Sequence, residues 1–253
     1  MDESFYITLS SNVNSQFYPD NKLTHFFNKL HSPLNLHEKR WMVGLAEIQC
    51  PFNWKNIQKD DASCTFYDLN SLTTKTIYIP EGHYKEAKHL VFLINAEIKK
   101  FDEKQFHKSA FFEIDKISQK TFIQARPNIL IMFSDKLSRI LGFNSKNPQK
   151  VNNKHYYGDE VVDIRDGVHH LYLYTNIIEH RPVGDTSLPL LRVVPVVDTG
   201  SNLYKINTFE NIHYLPARRQ IFQDVEIDIR NGVGEYIPFE RGSILVTLHC
   251  KPA

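Results

Sequence analysis

The stretch "QDVEIDIRN", residues 223–231, alternates without a break: Val225, Ile227 and Ile229 fall on one side, Asp224, Glu226, Asp228 and Arg230 on the other. A side-chain period of two belongs to a β-strand with one dry and one wet face, so most of what this chain can become is sheet. Asn231-Gly232 follows as a hairpin turn signal. The terminal "SILVTLHCK" sets Ile244, Val246, Leu248 and Cys250 on one face in the same way. Further strands are expected at 4–9, 24–30, 40–49, 64–68, 75–79, 169–178 and 189–197, about nine in all. In "WMVGLAEIQC" both alternating sets are largely apolar, which predicts a central strand between two packed layers. Many short antiparallel strands separated by turn signals indicate a sandwich or a barrel.

One block departs from this period. From about residue 80 to 143 the spacing shifts to 3.6, and Ala87, Leu90, Val91, Ile94 and Ile98 share a helix face. Lys99 and Lys100 stand at its C-terminal end, where the macrodipole favours cations. A hairpin around 110–125 and a short second helix follow, with Ser134 as its N-cap and Gly142 as its stop. The polar, Asn- and Lys-rich 144–155 reads as a linker back to the sheet. A small α+β unit thus interrupts a β protein.

Composition narrows the partners. Thirty Lys+Arg against 29 Asp+Glu leave a formal net charge of +1, so no global field draws the protein to nucleic acid or anionic lipid. Three cysteines, Cys50, Cys64 and Cys250, are odd in number and lack CxxC spacing, which fits reduced thiols better than a disulfide framework or a zinc site. The N-terminal "MDESFYITLSS" has no apolar run of signal-peptide length, and runs such as "ILIMF" fall far short of a membrane helix, so a soluble protein is expected.

Chemistry-bearing residues point nowhere in particular. His169 and His170 are neighbours on one strand and face opposite ways, while His25, His31 and His37 are six apart, a spacing that suits neither strand nor helix. Asp224, Glu226 and Asp228 form a carboxylate row that alternation alone produces on a solvated face. There is no nucleophile elbow, Walker-type loop or Cys/His dyad signature, and no cofactor or metal is expected. Arg218-Arg219, in "HYLPARRQIF", is a compact basic feature beside aromatics; a salt bridge or a subunit contact suits it better than nucleic acid, which calls for a basic face. Tyr172 and Tyr174 share a face and suit core or interface equally.

"VGDTSLPLLRVVPV", residues 183–196, raises a sharper question. It is strongly apolar yet carries Arg192 and is bounded by Pro189 and Pro195. Proline lacks the ladder donor and is confined to strand starts, bulges and sheet edges. An apolar edge needs a cover or a partner; the other reading is an inner strand that starts at Pro189 and ends near Pro195.

In order along the chain, "FYITLSSN", "YPDN", "WMVGLAEIQCPFNW", "IPEGHY", "ILGF", "VGDTSLPLLRVVPV", "DVEIDIRNGVGEYIPF" and "ILVTLHCKP" resemble the minor capsid (penton) protein of Polinton (Maverick) elements and adintovirus-like DNA viruses, over nearly the whole length. The resemblance implies an all-β fold: a single jelly-roll β-sandwich with a small inserted α+β subdomain. Its domains would be 1–79 with 144–253 for the roll and 80–143 for the insert. Length agrees, since eight strands with their loops take roughly 130 to 180 residues. The resemblance further implies no enzymatic activity and a homopentamer at the fivefold vertices of an icosahedral capsid. Its partner would be a double jelly-roll major capsid protein, its location the virion, with no membrane or specific nucleic-acid binding. Pro189, Arg192, Tyr214, Arg218 and Arg219 are the candidate subunit-interface residues. A lectin-like ligand-binding sandwich and a hydrolase acting through the acidic row are the competing readings.

Overall fold

Alternation along the chain becomes pairing between distant segments. The computed structural model describes residues 4–13, 16–36, 39–100, 110–144, 149–150, 155–196 and 204–253. It opens with β1 (Phe5–Ser10), β2 (His25–Asn35) and β3 (Trp41–Pro51). Next come β4 (Ser63–Asp68), β5 (Thr73–Tyr78), α1 (Ala87–Lys100), β6 (Ala110–Ile114), β7 (Lys120–Ala125), β8 (Ile129–Phe133) and α2 (Asp135–Leu141). β9 (Gln149–Lys150) and β10 (Tyr156–Val161) precede β11 (His170–Thr175). The short β12 (Arg181–Val183) and β13 (Thr186–Leu188) lead into β14 (Leu190–Pro195), β15 (Tyr204–Thr208), β16 (Leu215–Pro216), β17 (Ile221–Arg230) and β18 (Leu245–Pro252).

Two units emerge, residues 1–54 with 168–253, and residues 55–167. The first holds two antiparallel sheets, one ordered β1-β18-β3-β15 and the other β14-β11-β17-β2. Counted within this unit alone, the first long strand pairs with the eighth, the second with the seventh, the third with the sixth and the fourth with the fifth. That nested wrapping is a single jelly roll. Its core is the product of alternation: Ile7, Leu9, Val43, Leu45, Val246 and Leu248 from one sheet meet Phe26, Leu173, Val194, Val225, Ile227 and Ile229 from the other. Each such side chain, fully buried, contributes about 1.5–3 kcal/mol. A one-residue slip of β17 would turn Val225, Ile227 and Ile229 to solvent, so that core also sets the register.

β3 lies centrally, between β18 and β15, and its doubly apolar sequence has a further cause. Its register with β18 shifts between Thr247 and Leu248: Leu45 opposes Leu248 and Glu47 opposes Thr247, leaving Ala46 as an extra residue. The bulge switches the phase, so the core receives Val43 and Leu45 before it, and Ile48 and Cys50 after it.

The second unit leaves the roll between β3 and β11. It has a sheet ordered β5-β4-β8-β9, a sheet ordered β10-β7-β6, both helices and a core of its own. The helix face expected at Leu90, Val91, Ile94 and Ile98 is the buried face of α1. Ser134 caps α2 by accepting from the Leu137 N–H, and Gly142 ends it in the left-handed region at φ 78°. A side chain at 142 is doubly excluded, because a Cβ there would sit 2.3 Å from the Glu160 carbonyl oxygen. The exposed edge of β6 is closed by a side chain: Asn95 of α1 donates to the Phe112 carbonyl (2.7 Å) and accepts from the Phe112 N–H (2.9 Å), occupying the positions a further strand would take.

The domain limits differ from those expected. The insert runs from 55 to 167, not 80 to 143, because β4 pairs with β5 on one side and β8 on the other instead of either strand joining the roll. Period two identifies a strand without saying which sheet it enters. Within the expected linker at 144–155, residues 149–150 pair with β8 as β9, while 145–148 and 151–154 lie outside the described residues, as does His37. No helix among the described residues is long and apolar enough to cross a membrane.

Candidate interaction surfaces

"VGDTSLPLLRVVPV" proves to be two elements. Val183 and Thr186 pair across a Gly184-Asp185 turn that closes the β12–β13 hairpin, and Gly184 takes the positive φ (61°) that a two-residue turn with leading glycine requires. β14 follows as the terminal strand of its sheet, paired with β11 alone among the described strands. The edge position is therefore real, but the apolar content has an internal use, since Leu191, Val194 and Val196 lie in the roll's core.

Arg192 has an internal use as well. Its guanidinium carbon lies 3.7 Å from the centre of the Phe209 ring, and its Nη1 donates to the Asn211 carbonyl at 3.0 Å. Partial burial holds its pKa below the usual arginine value. The guanidinium thus clamps the start of the segment between β15 and β16 to β14. That segment ends at Tyr214, whose hydroxyl shares a hydrogen bond with His249 Nδ1 (2.7 Å) and whose ring lies 4.0 Å beneath Lys251 Nζ. Desolvation raises the Tyr214 phenol above its ordinary pKa. Between these anchors the segment crosses Gly44 of β3 so closely that a Cβ there would meet Ile212 Cγ2 at 2.3 Å and the His213 carbonyl oxygen at 2.8 Å. Glycine in "WMVGLAEIQC" is therefore the residue that lets 212–214 lie on the sheet.

The five candidate interface residues fall into separate places. Arg192 and Tyr214 hold the two ends of the 209–214 crossing. Pro189 and Arg218 come together in a concavity of about 450 Å³ on the β11–β17 side of the roll, with Tyr174, His180, Glu226 and Asp228. Arg219, like Arg218, is exposed and lines a neighbouring cleft. Phe209 and Asn211, the partners that give Arg192 its role, carry no motif and are found only through the fold.

The carboxylate row on β17 is tied up residue by residue. Asp224 accepts from the Tyr18 hydroxyl, which pushes that phenol up to about 12. Glu226 is 2.8 Å from His25 Nε2, and Asp228 is 2.8 Å from Arg230. Hydrogen bonding to Asp228 raises the Arg230 guanidinium, which also lies 4.9 Å over the Tyr236 ring. Two members of the row tie β17 to the segment before β2 (Tyr18) and to β2 itself (His25), and the third, Asp228, is paired within β17. Among the described residues no three His, Cys, Asp or Glu side chains are placed to share a metal ion. Cys50, Cys64 and Cys250 are free and buried, and desolvation pushes Cys50 to about 11, Cys250 to about 12 and Cys64 well above an ordinary thiol.

No protein-family model matches the sequence, and no curated protein matches it. Solved structures do. The fold is similar to that in the crystal structure of the mavirus penton protein, at 13% identity and a TM-score of 0.52, over 99% of this chain and 100% of that one. It is similar to the same degree, TM-score 0.52 at 10% identity, to a chain in the cryo-EM structure of the Sputnik virophage, over 100% of this chain and 98% of that one. The chain is an all-β protein, a single jelly roll carrying an inserted unit, and its fold is similar to that of the mavirus penton protein from end to end.

Proposed function

We propose that this protein is a structural, non-enzymatic penton that forms homopentamers at the fivefold vertices of an icosahedral capsid. Its partners are further copies of itself and a double jelly-roll major capsid protein, and its place is the virion. The carrying observation is the reach of the likeness: it spans essentially all of this chain and all of the mavirus penton protein, the inserted unit included, where a shared roll alone would have covered only part. The internal pairing of the acidic row supports a structural use of that face over an acid–base one.

In a pentamer each subunit presents two different surfaces, one to each neighbour, and such heterologous contacts close into a ring when the rotation allows. We place one of these surfaces at 183–196 and 214–219. Negative-stain imaging and solution mass of the purified chain, alone and co-expressed with a double jelly-roll major capsid protein, test the reading. Fivefold rings, or vertex density in assembled shells, are expected; a chain that stays monomeric under both conditions refutes it. Because Arg192 clamps its own subunit, the surface is better tested by Val193→Glu and Arg219→Glu. Undiminished pentamers in both would move the interface elsewhere.

A further inference from the structure

The roll has a cleft of about 620 Å³ whose walls are dominated by positive charge. Lys39 and Arg40, just before β3, line it together with Arg218 and Arg219, just after β16; Trp41 and, as the one carboxylate among the described residues, Glu179 complete the lining. The two basic pairs are nearly 180 residues apart in sequence and come together only through the fold.

Backbone hydrogen bonds hold both pairs in place. β16 pairs with the first residues of β3, Leu215 opposite Val43 and Pro216 opposite Met42. Beyond it the Ala217 N–H donates to the Trp41 carbonyl (2.9 Å), and the Leu36 N–H donates to the Gln220 carbonyl (2.7 Å). On the far side the Arg218 N–H donates to the Ile177 carbonyl (2.8 Å) and the Glu179 N–H to the Pro216 carbonyl (2.9 Å). The segment carrying Arg218 and Arg219 is thus sewn to the segment carrying Arg40 on one flank and to the β11–β12 connection carrying Glu179 on the other. Among the described residues four cations and one carboxylate line the cleft on a fixed backbone frame, although the whole chain carries a net charge of only +1.

We propose that this cleft is a binding site for a compact polyphosphate anion. Guanidinium forks match phosphate oxygens two at a time, and three arginines facing one cleft supply several such pairs. The cleft's volume lies in the range of small-ligand sites. Extended nucleic acid calls for a basic stripe that follows many phosphates, and four cations set around one cleft of a chain that is otherwise charge-balanced suit a short anion instead. Bound there, the anion offsets the mutual repulsion of Arg40, Arg218 and Arg219 and stabilises the 215–220 segment on β3.

The site belongs to the single subunit, so its test is independent of pentamer formation even though Arg218 and Arg219 also lie in the surface assigned to the interface. Titration calorimetry of the isolated chain with tripolyphosphate, at near-physiological salt, is expected to give saturable binding at one site per chain. Arg40→Gln and Arg219→Gln are each expected to weaken it about tenfold or more, as the loss of a charge-assisted bond implies. Lys88→Gln, on α1 of the inserted unit, is expected to leave the affinity unchanged. All these side chains are exposed, and unchanged circular dichroism establishes that the variants fold. Absence of saturable binding, or equal binding by wild type and Arg40→Gln/Arg219→Gln, overturns the proposal. So does a single-stranded DNA oligonucleotide whose affinity exceeds that of tripolyphosphate and grows with length.

Discussion

Gly44→Ala isolates the closest approach in the roll. The new methyl group would lie 2.3 Å from Ile212 Cγ2 and 2.8 Å from the His213 carbonyl oxygen, distances no packed carbon tolerates, so the 212–214 segment must lift from β3. Forcing a methyl group into a packed site costs about 1–3 kcal/mol. Lifting the segment also loosens the Tyr214–His249 hydrogen bond and the Lys251–Tyr214 contact, each worth about 0.5–1 kcal/mol net. The roll is therefore expected to lose about 2–5 kcal/mol in all. The readout is favourable: both tryptophans of the chain, Trp41 and Trp54, lie in the roll, so urea unfolding followed by tryptophan fluorescence reports on that unit without the insert. A second substitution sharpens the argument. Ile212→Ala removes the 2.3 Å clash but leaves the 2.8 Å one to a backbone oxygen, so in the Gly44→Ala background it should restore only part of the loss. A Gly44→Ala protein within about 0.5 kcal/mol of wild type, the range of an ordinary surface change, would refute the reasoning.

Other outcomes follow from the same contacts. Arg192→Ala and Phe209→Ala should each lower roll stability by about 1–2 kcal/mol and should couple by at least about 0.5 kcal/mol in a double-mutant cycle; strict additivity would mean the clamp contributes nothing. Asn95→Ala strips both backbone groups of buried Phe112 of their partners and should cost the inserted unit about 1–3 kcal/mol, seen as faster amide exchange along β6 with no change in the tryptophan-monitored transition. The thiols should resist an aromatic disulfide reagent at mildly alkaline pH in the native protein and react on unfolding, because thiolate is the nucleophile and burial suppresses it. For Cys50 and Cys250 the folded pKa lies above the ordinary 9.0, so their contribution to stability is complete below about pH 9 and lost as the pH climbs through about 11 and 12. A native chain that reacts at once with three equivalents, or a roll equally stable at both ends of that window, would contradict the burial.

Particular residues mark where the sequence was legible. Strand positions, the buried face of α1, and the Ser134 and Gly142 ends of α2 follow from period, capping chemistry and the left-handed tolerance of glycine. The prolines of 183–196 left a sheet edge and an inner strand both open, and β14 is terminal in its sheet among the described strands. The strand β15 and the β12–β13 hairpin were not readable as separate elements, since short segments of mixed polarity carry no period.

What the sequence determined by itself is local: which residues alternate, which face of α1 is apolar, where helices begin and end. These depend on neighbours a few positions away, and backbone geometry translates them directly. The tertiary structure decided everything that depends on which distant segment is adjacent. It sent β4 and β5 to the insert, laid 212–214 over Gly44, set Arg192 on Phe209, and brought Lys39-Arg40 to Arg218-Arg219. A strand's period is the same whichever sheet accepts it, and a basic pair has the same local sequence whether it faces solvent or another pair. Only the nested pairing of first strand with last, which joins the two ends of the chain through the core, resolves those choices.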